Sequence, residues 1–159
     1  DMLSSADIIM DQLKQFIAAN TEKELTMEEV EVLKNVLVGQ TIQKTQEKIT
    51  TVYSSLDVKK YPVDRISSGY DFYGFYTYVN KNLKVWFGYS VTAWAEYGSP
   101  LIIQHNPKWT DAEKLDASKL RKLGFHNADA VGFGFVKIVN PAAADWLIEL
   151  TKLVESLRR

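Results

Sequence analysis

The sequence predicts an α+β fold with an N-terminal helical segment, a mostly antiparallel sheet of about four strands, and a C-terminal amphipathic helix packed on the sheet. Residues 69–105 hold most of the aromatic side chains, in two runs rich in aromatic and β-branched residues, which favour strands. Before residue 57 and after residue 140, apolar side chains recur at three- and four-residue spacing, which is typical of helices with one buried face. Helices and a sheet of this kind stabilise each other by burying their apolar faces together.

Length and composition limit the class of protein. The 159 residues predict a single domain, with a helical segment over 1–58 and a sheet-bearing segment over 69–159. The net charge of −1 carries no global signature of a nucleic-acid or anionic-membrane partner. The chain has no cysteine, which excludes disulfides, thiolate metal sites and cysteine nucleophiles. No apolar run reaches the roughly 20 residues of a membrane span, so we expect no membrane association and a cytoplasmic location.

Three helices are predicted before the sheet. The first covers residues 4–20. The second begins at residues 26–29, where a threonine and a glutamate have the spacing of a capping box, and ends at Gly39, because glycine is common at helix ends. The third covers residues 40–56, and residues 57–68 form a polar connector to the sheet.

A hairpin is predicted at residues 72–79 and 83–89, with a loop of three residues, 80–82, between them. This loop length places one apolar set of pairs on a single face: Val79 with Leu83, Thr77 with Val85, Phe75 with Phe87, and Tyr73 with Tyr89. We expect that face to be the core. The outer face then carries three pairs: Tyr78 with Lys84, Tyr76 with Trp86, and Gly74 with Gly88. The two opposed glycines predict a gap that a helix, a ligand or another backbone could approach closely.

The remaining elements follow from capping residues and apolar spacing. Ser90 is expected to cap a short helix that ends at Gly98. The patterns predict a strand over 101–105, a helix over 110–123 ending at Gly124, a strand over 131–139 interrupted by Gly132 and Gly134, and a last helix with Asn140 as its cap and Pro141 at its first position.

Candidate catalytic groups are few. Asp64, Asp71 and Glu96 flank the hairpin and could meet at one end of the sheet, as acid–base or magnesium chemistry requires. They lack any diagnostic spacing, which favours solvated turn and cap residues. The two histidines, His105 and His126, have no zinc-motif spacing, although His105 at a strand end could act as a base beside an acid. We therefore predict no catalytic residue, no metal ligand and no cofactor.

The outer face of the hairpin carries the ligand-binding candidates. A sheet that presents aromatic side chains can stack bases or clamp a planar ligand, and a lysine beside them could meet a phosphate. The candidates are Tyr76, Tyr78, Lys84 and Trp86 together with the glycine pair Gly74 and Gly88, with Trp94 and Trp109 expected nearby. The alternative interpretation is that the N-terminal helices cover this face and that these residues are core.

Four short motifs carry a resemblance to a known family: Asp71-Phe72-Tyr73-Gly74-Phe75-Tyr76, Val85-Trp86-Phe87-Gly88-Tyr89, Trp94-Ala95-Glu96-Tyr97-Gly98 and Pro100-Leu101-Ile102-Ile103. Over about residues 69–159, the chain resembles a C-terminal module of bacterial proteins of the PD-(D/E)XK nuclease superfamily. The resemblance implies an accessory or regulatory domain beside a nuclease core. That core holds magnesium with an acidic residue and an Asp/Glu-x-Lys tripeptide on a strand. Here Asp57-Val58-Lys59 lies in the connector, so no nuclease residue is carried over.

These observations predict a non-catalytic binding or interaction module, an accessory domain of a larger bacterial DNA-processing protein. Its partner would be another domain or protein, with nucleic acid as a second candidate. The chain begins at Asp1 rather than methionine, from which we expect a piece of a larger protein. The alternative function is a small-molecule or nucleotide sensor that uses the aromatic sheet face, and an enzyme built on the hairpin carboxylates and His105 is a third.

Overall fold

The computed structural model describes Asp11, Gln15 and residues 26–109 and 115–159. It has two compact units, residues 1–47 and residues 48–159, and the folding of the whole chain as one domain stays a prediction. The predicted helix over 4–20 lies outside the described residues, apart from Asp11 and Gln15, which are helical. The α+β class, with a long N-terminal helix, an antiparallel sheet and a C-terminal helix, is confirmed.

Helix α1 covers Met27–Ser55. Its predicted capping box is present, because the backbone N–H of Glu29 donates to Thr26 Oγ1 at 3.2 Å and that of Thr26 donates to Glu29 Oε2 at 2.8 Å. The predicted stop at Gly39 is wrong, and the second and third predicted helices are one. An interior glycine costs a helix only about 0.5–1 kcal/mol relative to alanine. No described helix, α1 included, has the length and apolar sequence of a membrane-spanning segment.

The sheet has six strands in the order β1-β2-β3-β4-β6-β5, and every neighbouring pair is antiparallel. The strands are β1 (Ser67–Ser68), β2 (Phe72–Tyr78), β3 (Lys84–Ser90), β4 (Leu101–His105), β5 (His126–Asn127) and β6 (Phe135–Ile138). Four strands were expected, and the two additional ones, β1 and β5, are too short to show a period in the sequence. Strand β6 starts later than predicted, because Gly132 and Gly134 have φ of 77° and 75° and belong to the preceding loop.

The predicted register of the hairpin is confirmed. Tyr73 lies opposite Tyr89, Phe75 opposite Phe87, and Thr77 opposite Val85. In the loop, the Asn80 side chain accepts hydrogen bonds from the backbone N–H groups of Asn82 and Leu83 at 2.8 and 2.9 Å. This local bonding of an asparagine side chain stabilises the turn and thereby fixes the pairing of the strands.

The core lies on the predicted face of the hairpin. Phe75 and Phe87 are fully buried there. The ring of Tyr53 in α1 meets Phe75 edge-on at 5.2 Å, and the ring of Trp146 meets Phe87 at 6.4 Å. Residues 48–55 of α1 and the last helix therefore pack on this core face. The alternative interpretation, in which the N-terminal helices cover the outer face, does not hold for residues 48–55.

The short helix α2 (Val91–Tyr97) follows β3 as predicted. Ser90 Oγ accepts from the backbone N–H of Ala93 at 3.2 Å, and Gly98 ends the helix with a left-handed φ of 73°. Helix α3 (Ala117–Lys122) is shorter than predicted and is capped by Asp116, while residues 110–114 of the predicted helix lie outside the described residues.

The last helix, α4 (Trp146–Arg158), starts later than predicted. Its cap is Asp145, which accepts from the backbone N–H of Ile148 at 3.1 Å. Asn140 instead accepts from the N–H of Ala142 at 3.0 Å within a turn. An asparagine side chain stabilises either a helix start or an isolated turn, and here the helix begins at Trp146, whose ring contacts Phe87 of the sheet.

Candidate binding cleft

The two opposed glycines of the hairpin lie under the indole of Trp86. A β-carbon added at Gly74 would lie 2.4 Å from the Phe87 carbonyl oxygen and 2.4 Å from Trp86 Cζ2. One added at Gly88 would lie 2.4 Å from the Tyr73 carbonyl oxygen and 2.6 Å from Trp86 Cη2. The gap predicted above the glycines is therefore filled by a side chain of the hairpin itself, and Gly74 and Gly88 support Trp86 instead of facing open space.

Trp86 is the centre of a second, smaller core on the outer face of the sheet. Its side chain is only 6% exposed. The outer-face cluster consists of Trp86, Ala93, Ile102, Ala128 and Val136, with Tyr76, Tyr97, Trp109, Val131 and Phe133 packed against it. Helix α2 and the loop before β6 supply several of these residues, so these segments cover the part of the outer face that the N-terminal helices were expected to cover.

A cleft of about 380 Å³, called here the outer-face cleft, opens beside this cluster. Its lining residues come from β1, β2, β3, α2, β4 and the loop before β6: Ser67, Asp71, Phe72, Tyr76, Trp86, Ser90, Thr92, Ile102, Gln104 and Phe133. Phe72 meets Trp86 edge-on at 6.5 Å between ring centroids. Gln104 Nε2 donates to the Phe133 carbonyl oxygen at 2.9 Å, which ties the loop to the sheet. The structure thus brings the predicted residues Tyr76 and Trp86 together in one concave site.

Lys84 and Tyr78 belong to a separate charged cluster. Lys84 Nζ lies 3.8 Å from Asp64 Oδ2 and 4.3 Å from the ring centroid of Tyr76. The Tyr78 hydroxyl donates to the Asp64 carboxylate at 3.2 Å. Burial, and to a lesser degree the charge of Asp64, raises the pKa of Tyr76 and of Tyr78. Lys84 is thus partnered already by a carboxylate and a ring, and it does not line the cleft, which disfavours the predicted phosphate contact.

The candidate acids of the hairpin are not assembled into a metal site. Asp64 is held by Lys84 and Tyr78, Asp71 lines the outer-face cleft, and Glu96 is exposed on α2. Within residues 26–109 and 115–159, no three His, Cys, Asp or Glu side chains come close enough to hold a metal ion.

His105 is buried at the end of β4. Its Nδ1 lies 3.2 Å from the Lys84 carbonyl oxygen, and its ring meets Trp109 edge-on at 6.3 Å. Burial lowers the pKa of His105, and the hydrogen bond to Lys84 only partly opposes this shift. The imidazole is therefore neutral, with Nδ1–H donating, and Nε2 has no hydrogen-bond partner among the described residues.

The buried neutral state of His105 predicts a loss of stability in mild acid. Because its pKa is lower in the fold than the 6.5 of the free side chain, unfolding takes up a proton below about pH 6.5. The free energy of unfolding should fall by up to about 1.4 kcal/mol per pH unit in that range. Urea titrations of the wild type at pH 7.5, 6.5 and 5.5 measure this slope.

In His105→Gln the free energy of unfolding should not fall with pH in this way, even if the variant is less stable at pH 7.5. The control, His126→Gln, should keep the wild-type pH dependence, because His126 is exposed. A wild-type protein and a His105→Gln variant with the same pH dependence would show that His105 is not the responsible group.

A second concave surface lies at the tip of the hairpin. This hairpin-tip groove of about 420 Å³ is lined by Lys59, Lys60, Pro62, Tyr78, Val79, Asn80, Lys81 and Arg158. Arg158 Nε donates to the Val79 carbonyl oxygen and Nη2 to that of Lys60, both at 2.7 Å. Glu155 pairs with Lys60 at 3.2 Å and with Arg158 at 3.3 Å. Arg158 therefore fixes the C-terminal end of α4 to the hairpin and the connector.

Several residues that line the cleft were not among the predicted ligand-binding candidates, including Phe72, Gln104 and Phe133. A signal existed for β4, because alternation along a strand puts Ile102 and Gln104 on one face. Ile102 and Gln104 lie on the same face of the sheet as Trp86 because β4 pairs with β3, which places Gln104 opposite Trp86. No local pattern shows that the loop before β6 folds over the same place.

Comparisons of the chain with protein-family models, with curated proteins and with solved structures found no match. The resemblance to the nuclease-associated module stays a prediction.

Proposed function

We propose that this chain is a non-catalytic binding module that takes a small organic ligand in the outer-face cleft. The observation that carries the proposal is a concavity of about 380 Å³ whose lining includes four aromatic side chains, Phe72, Tyr76, Trp86 and Phe133. Small-molecule sites are typically clefts of roughly 300–1,000 Å³ with mostly apolar walls and a few polar groups that orient the ligand. The cleft meets both criteria, since Asp71, Thr92 and Gln104 supply polar groups.

The walls of the cleft are held in place without a ligand. The Trp86 indole rests on the glycine pair of the hairpin, and Tyr76 meets Trp109 edge-on at 5.1 Å. A site whose rings are fixed in advance loses little side-chain entropy when it binds. This rigidity supports a binding role on the aromatic face, in agreement with the sensor hypothesis from the sequence.

Phe72 is the residue that tests the proposal, because it is 37% exposed and lines the cleft. Binding of indole and of adenosine is followed by the NMR signal of the Trp86 indole N–H. We expect Phe72→Ala to weaken binding by about fivefold to tenfold, the effect of one aromatic contact, with a small change in stability.

The matched control is Tyr70→Ala, which removes an aromatic side chain two residues away that is 100% exposed and does not line the cleft. It should bind as the wild type does. If indole, adenosine and choline all leave the Trp86 signal of the wild type unchanged, the proposed function is wrong.

A second candidate function is contact with a nucleic-acid backbone at the hairpin-tip groove. Four cationic side chains line this groove, Lys59, Lys60, Lys81 and Arg158. Lys60 and Arg158 are paired with Glu155, but Lys59 and Lys81 are exposed and form no ion pair with any described residue. Together with the resemblance, this groove supports the proposal of an accessory domain in a larger bacterial DNA-processing protein.

Anisotropy of labelled single- and double-stranded DNA at low and moderate salt tests this second function. Binding should weaken with salt, and the slope of log K against log salt should be smaller by about 1–2 in Lys59→Gln/Lys81→Gln, because up to two phosphate contacts are lost. The variant Lys122→Gln/Lys152→Gln removes the same charge at exposed positions outside the groove. Equal losses in both variants, or no binding at either salt, would exclude the groove as a nucleic-acid site.

A further inference from the structure

We propose that the ligand of the outer-face cleft is an organic cation, a quaternary or protonated amine held between aromatic rings and the Asp71 carboxylate. This inference rests on the proposed function and adds the chemical class of the ligand. Three features of the cleft support it: the Asp71 carboxylate, the aromatic rings, and the absence of a cationic side chain among the described residues that line it.

Asp71 is the single charged side chain among the described residues lining the cleft. Its backbone carbonyl accepts from the N–H of Val91 at 2.8 Å, which holds the residue at the start of α2. Its carboxylate makes no hydrogen bond or ion pair with any residue in the described part of the chain. The charge of Asp71 also contributes, after burial, to the raised pKa of Tyr89, so its field reaches into the sheet. The wall of the cleft therefore contains one carboxylate that is not paired with any described cationic side chain.

The rings of the cleft suit a cation. Aromatic faces attract ammonium groups through the ring quadrupole, most strongly when the site excludes water. The protein already uses this interaction on the same sheet face, since Lys84 Nζ lies 4.3 Å from the ring centroid of Tyr76. Besides Tyr76, the cleft is lined by the rings of Phe72, Trp86 and Phe133. An ammonium group bound in the cleft would lie among aromatic rings and the Asp71 carboxylate.

An anionic ligand would find no cationic side chain in the described lining of the cleft. Lys84 is turned to Asp64 and lies outside the lining. Of the N–H groups that begin α2, that of Val91 donates to the Asp71 carbonyl oxygen and that of Ala93 donates to Ser90 Oγ. A phosphate or carboxylate would thus face Asp71 without a compensating cation, and like charges in a partly desolvated site repel.

Choline and 3,3-dimethyl-1-butanol test the inference, because they have the same shape and differ by one positive charge. Each is titrated into the full chain, with the Trp86 indole N–H as the NMR readout and indole as a neutral aromatic reference. We expect choline to bind at least about tenfold more tightly than the neutral alcohol. Asp71→Asn should abolish this preference, whereas Glu96→Gln, which removes a charge from an exposed position of α2 outside the cleft, should keep it.

The outcomes separate the two proposals. If indole binds but choline and the alcohol bind equally, or if Asp71→Asn keeps the preference for choline, the organic-cation inference is overturned and the binding function stands. If choline fails to bind while indole binds, the inference is overturned as well. If indole, adenosine and choline all leave the Trp86 signal unchanged, both proposals fall together. Urea unfolding of Asp71→Asn confirms that the variant is folded under the conditions of the titration.

Discussion

Replacing Gly74 or Gly88 by alanine is expected to lower the free energy of unfolding by at least about 3 kcal/mol, the range of severe overpacking. At either position the new methyl group would lie 2.4 Å from a backbone carbonyl oxygen of the opposite strand. A backbone contact cannot be relieved by a change of rotamer, so β2 and β3 must separate, and the Trp86 indole must also leave its place. Urea unfolding followed by circular dichroism measures the loss.

The control for these two variants is Gly39→Ala. Gly39 lies inside α1, and an added β-carbon there would have no atom within 4 Å. Alanine should therefore stabilise the protein by about 0.5–1 kcal/mol, through helix propensity alone. Stability unchanged by Gly74→Ala and Gly88→Ala would contradict the placement of the Trp86 ring over the hairpin glycines.

Trp86→Ala is expected to cost about 3–5 kcal/mol, the usual range for removing a large buried aromatic side chain. Trp86 is 6% exposed, covers both hairpin glycines and packs against Ile102 in the outer-face cluster. The variant would leave a cavity between β3, β4 and α2 that their fixed backbones cannot close. Trp86→Phe should lose less, because a ring remains in the same place.

The same variant decides whether Trp86 is a core residue or a ligand contact. Trp86 belongs to the outer-face cluster and also lines the proposed binding cleft, so a loss of ligand binding in Trp86→Ala should come with a large loss of stability. Lost binding at full stability would instead mark Trp86 as a ligand contact outside the core. Because of this coupling, Phe72→Ala is the better probe of binding.

A double variant divides the clash at Gly74 into its two parts. In Gly74→Ala, the added methyl group meets both the Trp86 ring and the Phe87 carbonyl oxygen. In the Trp86→Ala background the ring contact is absent, so Gly74→Ala should cost less there than in the wild type, by about 0.5–3 kcal/mol for residues in direct contact. Equal costs in both backgrounds would show that the backbone contact dominates.

The features that were predictable from the sequence are those with a local cause. The hairpin register depends on the Asn80 turn and on alternation along two adjacent strands, and the caps at Thr26 and Ser90 depend on side chains bonding to N–H groups three residues on. The α+β class follows from two spacings of apolar residues, which alternate along the strands and recur every three or four residues in the helices. Errors arose where a local signal had two outcomes: Gly39 is tolerated inside a helix, and Asn140 stabilises a turn instead of a helix start.

The candidate site depends on contacts between residues distant in the chain. That Trp86 and Tyr76 share a face was predictable, because pairing within a hairpin sets the direction of each side chain. The position of Asp71, Gln104 and Phe133 around them was not predictable, since it requires β4 beside β3 and a loop folded back from residue 133. Nor did any local rule show that Trp86 would fill the space over Gly74. Side-chain direction follows from secondary structure, but what a side chain meets follows from packing across the whole fold.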